Sequence, residues 1–254
     1  YPGINNDPSG VHGDTFPTIS ILVGIGFKIF GYKLWVARII GILLNTASIF
    51  LIYLITKKLF KKEIMGLICA FLFAISPLFI FYSHNVQLMN VGIFFFLLSF
   101  YFFFEWKETE KNYLLILYTI SITLAGLTKY PFLVGIFPIL FIFPWKKFKE
   151  KSFWKIAVPC MIIFLTIPLW IYYTNVALMD EFETTSSIKS KIEPQKAFSS
   201  QFITASKSYI KDNYTSIGFL FSLLGFILLF FKMKSFYFRF MIGYFVGILI
   251  YILI

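Results

Sequence analysis

The chain has 254 residues, of which 59% are hydrophobic, 22% aromatic and only 14% charged, and 35 are Phe. Soluble domains carry about 25% charged residues and about half apolar ones, so a water-solvated globule of this length would be left with apolar surface it has too few polar groups to cover. The composition makes the bilayer the solvent, and the net charge of +11 needs a membrane explanation rather than a nucleic-acid one, because basic and aromatic residues do not interleave on a soluble face.

Residues 1–33 read as an extracytoplasmic segment. Asp7 with Pro8, Ser9 and Gly10 is a turn-forming run, and "VHGDTFP", Val11 to Pro17, follows it. The next apolar stretch, Ile19 to Phe30 with Lys28 near its end, is too short to span and fits a helix lying in the interface. Asp14 stands at its entrance. A carboxylate there either caps the helix by accepting backbone N–H bonds or removes a proton from an acceptor hydroxyl. The glycines of "GIGFKIFG", Gly24 to Gly31, lack G-x-G-x-x-G spacing and follow no strand, so close helix packing explains them better than nucleotide binding.

Eight runs of spanning character follow, giving an all-α polytopic bundle. They run from Leu34 to Leu59, Ile64 to Tyr82, Met89 to Trp106, Tyr113 to Leu127, Phe132 to Trp145, Ile156 to Tyr173, Ile217 to Phe231 and Phe236 to Ile254. The first six make a core over 34–173, and the last two occupy 217–254. Between them lies a loop, 174–216, in which Phe198, Phe202, Ile203, Tyr209 and Ile210 are spaced for a partly amphipathic helix. Tyr1 in place of a starting Met, and Ile254 inside an apolar run, lead us to expect a fragment.

Alternate connections, "KKLFKKE", "KETEKN", "KKFKEKSFWK" and "KMKSFYFR", hold more than half of the 23 basic residues and are therefore cytoplasmic. The remaining connections face outside, and the unusual polar residues collect there: Asp7, His12, Asp14, Arg38, Ser83, His84, Asn85, Gln87, Asn90, Lys129 and Tyr130. Each has a plain alternative. Arg38 can snorkel to the surface, Lys129 can be an interfacial anchor, and His84 can be a solvated turn residue. His12 and His84 are the only histidines and lack i, i+4 spacing, Asp7 and Asp14 make a weak cation site, and no Cys/His cluster exists, so no cofactor is expected and a divalent cation stays open without a residue pattern to support it. Cys69 and Cys160 lie in apolar runs as small hydrophobes, without a disulfide. The sequon Asn213-Tyr214-Thr215 lies close to the next span and reads as chance.

"GDTFPTISILVGIGFKIFG", "LWVARIIGILLNTASIFLIYLITKKLFKKE", "AISPLFIFYSHNVQLMNVGIFFFLLSFYFF" and "LAGLTKYPFLVGIFPIL" together resemble membrane glycosyltransferases of the C type, those related to dolichyl-phosphate-mannose protein mannosyltransferases and lipid A aminoarabinose transferases. The resemblance covers roughly residues 1–145. "GDTFP" looks like the acidic element before the interfacial helix, Tyr82, Ser83, His84 and Gln87 align with an aromatic-Ser-Arg run ending in Gln, and "LTKYP" matches a Leu-Thr-Lys element. The chain differs where the family has Arg (His84) and where it has Pro and an acid after Gln (Leu88 and Met89, then Asn90).

The resemblance implies transfer of a sugar from a polyprenyl-phosphate donor to a protein, lipid or glycan acceptor on the extracytoplasmic side of the cell membrane, with inversion at the anomeric carbon. Asp14 would be the base. Lys129 and Arg38 would meet the lipid phosphate, where charge develops on the leaving group, and Tyr82, His84, Gln87, Asn90 and Tyr130 would complete the substrate site. Two other readings stay open: a homologue that binds the lipid-linked sugar without turnover, and a transporter. Transporters place ionisable groups near the midplane, and the span centres here are almost uncharged.

Overall fold

The computed structural model describes residues 16–181, 199–213 and 236–253, and within 214–235 only 218, 220, 223–225, 227 and 228. Every regular element among them is helical. In chain order these are α1 (Thr18–Phe30), α2 (Leu34–Phe60), α3 (Glu63–Ala74), α4 (Pro77–Ser83), α5 (Leu88–Thr109) and α6 (Asn112–Thr128). They are followed by a 3-10 turn (Tyr130–Gly135), α7 (Ile136–Ile142), a second 3-10 turn (Trp145–Lys149), α8 (Lys151–Phe164), α9 (Thr166–Glu181), α10 (Ser200–Asn213) and α11 (Phe236–Leu253).

The expected eight spans are not reached among the described residues. Three stretches are long and apolar enough to cross a membrane: Leu34–Phe60, Leu88–Thr109 and Lys151–Thr174. A fourth arises if α3 and α4 count as one span, although they meet at 65°. The expected run from Ile64 to Tyr82 breaks because a proline disfavours helical backbone in the residue before it. Ser76, before Pro77, is accordingly extended (φ −62°, ψ 123°). The runs expected at 113–127 and 132–145 form apolar helices too short to meet the length test, Asn112–Thr128 and Tyr130–Ile142, as does Phe236–Tyr251 within α11. Most of the run expected at 217–231 lies outside the described residues. The expected loop start at Thr174 also moves, since α9 continues to Glu181, and the amphipathic helix expected in that loop is α10.

The described residues form two compact units, one holding those up to 132 and from 146 to 181, the other 133–145 and those from 199 onward. In the first, Ile19 and Val23 of α1, Ala37 of α2 and Val91 of α5 make a buried cluster, joined by Leu22, Ile40, Leu44, Leu88 and Phe95. Further along, Phe103 of α5 sits between Trp106 and Tyr118 of α6, with ring centroids 5.6 and 5.5 Å away. α5 also meets Phe132: a Cβ added to Gly92 would lie 2.1 Å from that ring. In the second unit Gly243 and Gly247, one helical turn apart on α11, approach the backbone of Pro138 and Val134. Small residues four apart let helices close on each other where hydrocarbon supplies no hydrophobic force between them. Ile64, Leu67, Ile68, Phe71 and Leu72 of α3 stand exposed in a row, as side chains with lipid for solvent do.

One end of the first unit is charged. Lys58, at the end of α2, bridges Glu105 and Glu108 of α5. Lys57 pairs with Glu63 at 3.0 Å, and Tyr53 Oη donates to the same carboxylate at 2.7 Å. Lys147 meets Glu110 at 2.8 Å, and that hydrogen bond, with the carboxylate charge behind it, holds the ammonium above the ordinary lysine pKa. The opposite end carries no ion pair among the described residues and gathers amides and hydroxyls instead.

Candidate functional site

The neutral end is built on two contacts between distant parts of the chain. Phe16 N–H donates to Leu127 O at 3.0 Å, and the hydroxyls of Thr18 and Thr128 lie 2.7 Å apart although 110 residues separate them. Both threonines are buried. Thr128 Oγ1 already donates to Leu124 O at 2.7 Å, so the proton in the shared bond comes from Thr18. The segment leading out of "GDTFP" is thereby pinned to the one leading into "LTKYP". Lys129 follows directly as an extended residue (φ −160°, ψ 123°) that ends α6, and its side chain is exposed. Tyr130 is half-buried. Asp14 lies outside the described residues, as do Asp7 and His12.

The second element sits on α2. A Cβ added to Gly41 would lie 3.1 Å from Asn90 Nδ2 and 3.5 Å from the carbonyl oxygens of Asn85 and Ser83, so the turn after α4 rests on the bare backbone of this glycine. Asn90 Nδ2 donates to Asn85 O at 2.7 Å, and Gln87 O accepts from Asn90 N–H at 3.2 Å, which ties both sides of the turn to the start of α5. Asn90 is completely buried. Its amide holds the turn from beneath, and direct substrate contact, implied by the resemblance, is closed to it in this arrangement. Among the described residues its Oδ1 has no partner, nor has that of buried Asn45, whose Nδ2 donates to Gly41 O at 2.8 Å.

The turn presents His84, exposed, with half-buried Tyr82 and Gln87 beside it. His84 Nδ1 is 3.0 Å from Ile80 O. Ser83 Oγ lies 3.1 Å from the same nitrogen, so Nδ1 is turned to the backbone and Nε2 is left toward the outside. Arg38, on α2 three residues before Gly41, is exposed and has no carboxylate partner among the described residues. Arg38 and Lys129, without carboxylate partners among the described residues, are suited to an anion brought from outside.

Beside the Phe16–Leu127 contact runs an open groove of about 300 Å³, lined by Phe16, Leu127, Thr166, Leu169, Trp170 and Tyr173. Phe16 meets Trp170 edge to face, with centroids 5.0 Å apart. Among the described residues no group of three His, Cys, Asp or Glu side chains is placed to hold a metal ion.

The sequence reading passed over Thr18, Thr128, Gly41, Asn45 and Trp170. The two threonines lie in the quoted motifs, next to the residues singled out. Asn45 carried a readable signal as an amide in the middle of a long apolar span, where an unpaired polar group is costly.

A model of the dolichyl-phosphate-mannose-protein mannosyltransferase family matches residues 12–173. No curated protein and no solved structure matches the chain. The family match covers more than half of the chain and includes the elements that meet at the neutral end, and the chain therefore belongs to the dolichyl-phosphate-mannose-protein mannosyltransferase family, a family of membrane glycosyltransferases.

Proposed function

We propose that this integral membrane protein transfers a sugar from a polyprenyl-phosphate donor to an acceptor hydroxyl on the extracytoplasmic side, within a multi-span C-type glycosyltransferase core. The observation that carries the reading is the junction of Thr18 with Thr128 and Phe16 with Leu127. It joins Phe16 and Thr18, which follow Asp14 closely in sequence, to Leu127 and Thr128, which precede Lys129. In this reading Lys129 and Arg38 receive the phosphate, whose charge grows as the glycosidic bond breaks. Asp14 takes the proton of the acceptor hydroxyl. Tyr82, His84, Gln87 and Tyr130 contact the sugar phosphate, and Asn90 supports the turn that carries three of them.

The test is donor binding and sugar transfer measured on the same purified preparations. Lys129→Met is expected to weaken polyprenyl-phosphate-sugar binding, because a hydrogen bond to a charged group contributes about 1.5–3 kcal/mol. Asp14→Asn is expected to leave binding nearly intact and to lower transfer by about 10²-fold or more. Unchanged affinity in Lys129→Met removes the phosphate role, and unchanged turnover in Asp14→Asn leaves that residue a helix cap. A second reading rests on Leu88 and Met89 standing where the family has a proline and an acid. A homologue that binds without transfer would show the lysine effect and no turnover in the wild type.

A further inference from the structure

Trp170 has an indole N–H that is buried and has no acceptor among the described residues. Buried Trp N–H groups ordinarily find a partner, and an unsatisfied one costs about 1–3 kcal/mol. The residue also lines the groove beside the Phe16–Leu127 junction. That groove is walled mainly by hydrocarbon and rings, and its volume of about 300 Å³ is at the small end of ligand pockets, so it takes part of a ligand rather than a whole lipid-linked sugar. Leu127 is two residues from Lys129 and Phe16 two from Asp14. The missing acceptor, the apolar walls and this position describe one kind of occupant, an apolar chain with an oxygen-rich head.

Resting on the function proposed above, we infer that Trp170 selects the donor by its lipid end: its Nε1–H donates to a phosphate oxygen of a prenyl phosphate, and the first isoprene units lie along Leu127, Leu169 and Tyr173. Leu169 and Tyr173 are the exposed walls, 63% and 49% accessible, and they turn aside to open the shielded N–H to the ligand. Trp170 is thus a binding residue for the carrier, separate from the lysine that neutralises its charge.

The experiment uses the full chain in nanodiscs with indole ¹⁵N labelling, titrated with farnesyl phosphate, farnesol and inorganic phosphate. Of the five indole signals, one is expected to move downfield with farnesyl phosphate and not with farnesol, and to be absent from Trp170→Phe. That variant keeps an aromatic ring against Phe16 and is expected to bind farnesyl phosphate roughly tenfold more weakly, about one charge-assisted hydrogen bond, with farnesol affinity unchanged. Equal farnesyl phosphate affinity in wild type and Trp170→Phe overturns the inference, as does an indole signal that stays still because the N–H is satisfied by a neighbouring ring. An equal response to a two-chain phosphatidic acid also overturns it, assigning the groove to bilayer lipid. If Trp170→Phe does not fold, the wild-type titration decides alone. These failures leave the proposed function standing when the wild type still binds the full donor; loss of all prenyl phosphate binding in the wild type removes both.

Discussion

A shared hydroxyl bond between Thr18 and Thr128 is a small interaction placed where it has leverage. Thr128 donates to Leu124 O in any case, and the Thr18 proton, once released from the pair, has Phe16 O 3.2 Å away, so breaking the pair leaves neither hydroxyl proton stranded. Thr18→Val and Thr128→Val are each expected to cost about 1 kcal/mol. A double-mutant cycle should return a coupling of about 0.5–1.5 kcal/mol, read from thermal unfolding in detergent. Additive losses would mean that the two side chains do not support one another. Asn90 is held differently. Asn90→Ala removes the side-chain bond to Asn85 O and leaves a void under the turn, so a loss of about 2 kcal/mol or more is expected, together with weaker donor binding through the displaced Tyr82, His84 and Gln87.

Between helices, the glycines mark where backbone approach decides the packing. On Gly92 a Cβ would stand 2.1 Å from the Phe132 ring, so Gly92→Ala is expected to destabilise by about 1–3 kcal/mol, as overpacking does. Phe132→Leu in the same chain should recover part of the loss, because the obstacle is a side chain. Gly243 faces a harder wall, Pro138 Cα at 2.5 Å. Backbone cannot turn aside, and Gly243→Ala should not be rescued by any neighbouring side-chain change. Gly24 supplies the control: nothing lies within 4 Å of its would-be Cβ. Gly24→Ala is expected to be neutral or to stabilise by up to about 1 kcal/mol through helix propensity. Equal losses at all three sites, measured as midpoints of thermal unfolding, would contradict this packing.

The charge distribution among the described residues of the first unit separates two ends. Lysines and glutamates pair at the ends of α2 and α5, while amides, hydroxyls, Arg38, His84 and Lys129 gather at their starts. Basic connections stay on the cytoplasmic side. Single cysteines introduced at Lys61, Lys149 and Lys234 are therefore expected to resist an impermeant thiol reagent in sealed cells, and those at Asp14, His84 and Lys189 to react, in a background lacking the free thiols Cys69 and Cys160. Reaction at position 149 would invert the orientation and move the site to the other leaflet.

Composition and run length alone determined the solvent and the class: a chain this apolar and this poor in charge folds as helices in a bilayer, and the extents of α1, α2, α5 and α10 follow closely from the runs that encode them. The family was legible too, because "GDTFP" and "LTKYP" keep residue types at fixed local spacing. Tertiary structure decided the rest. A run of apolar residues states its preference for lipid but not whether it stays straight, and so the pair α3 and α4, bent at Ser76, and the short helices at 112–128 and 130–142 were counted as full spans. Periodicity equally cannot say which face of one helix meets which residue of another. The contact of Thr18 with Thr128, the seating of the Ser83–Asn85 turn on Gly41 and the buried state of Asn90 depend on side chains brought together from distant parts of the chain. Their energies are set by burial and partner geometry that no local stretch encodes.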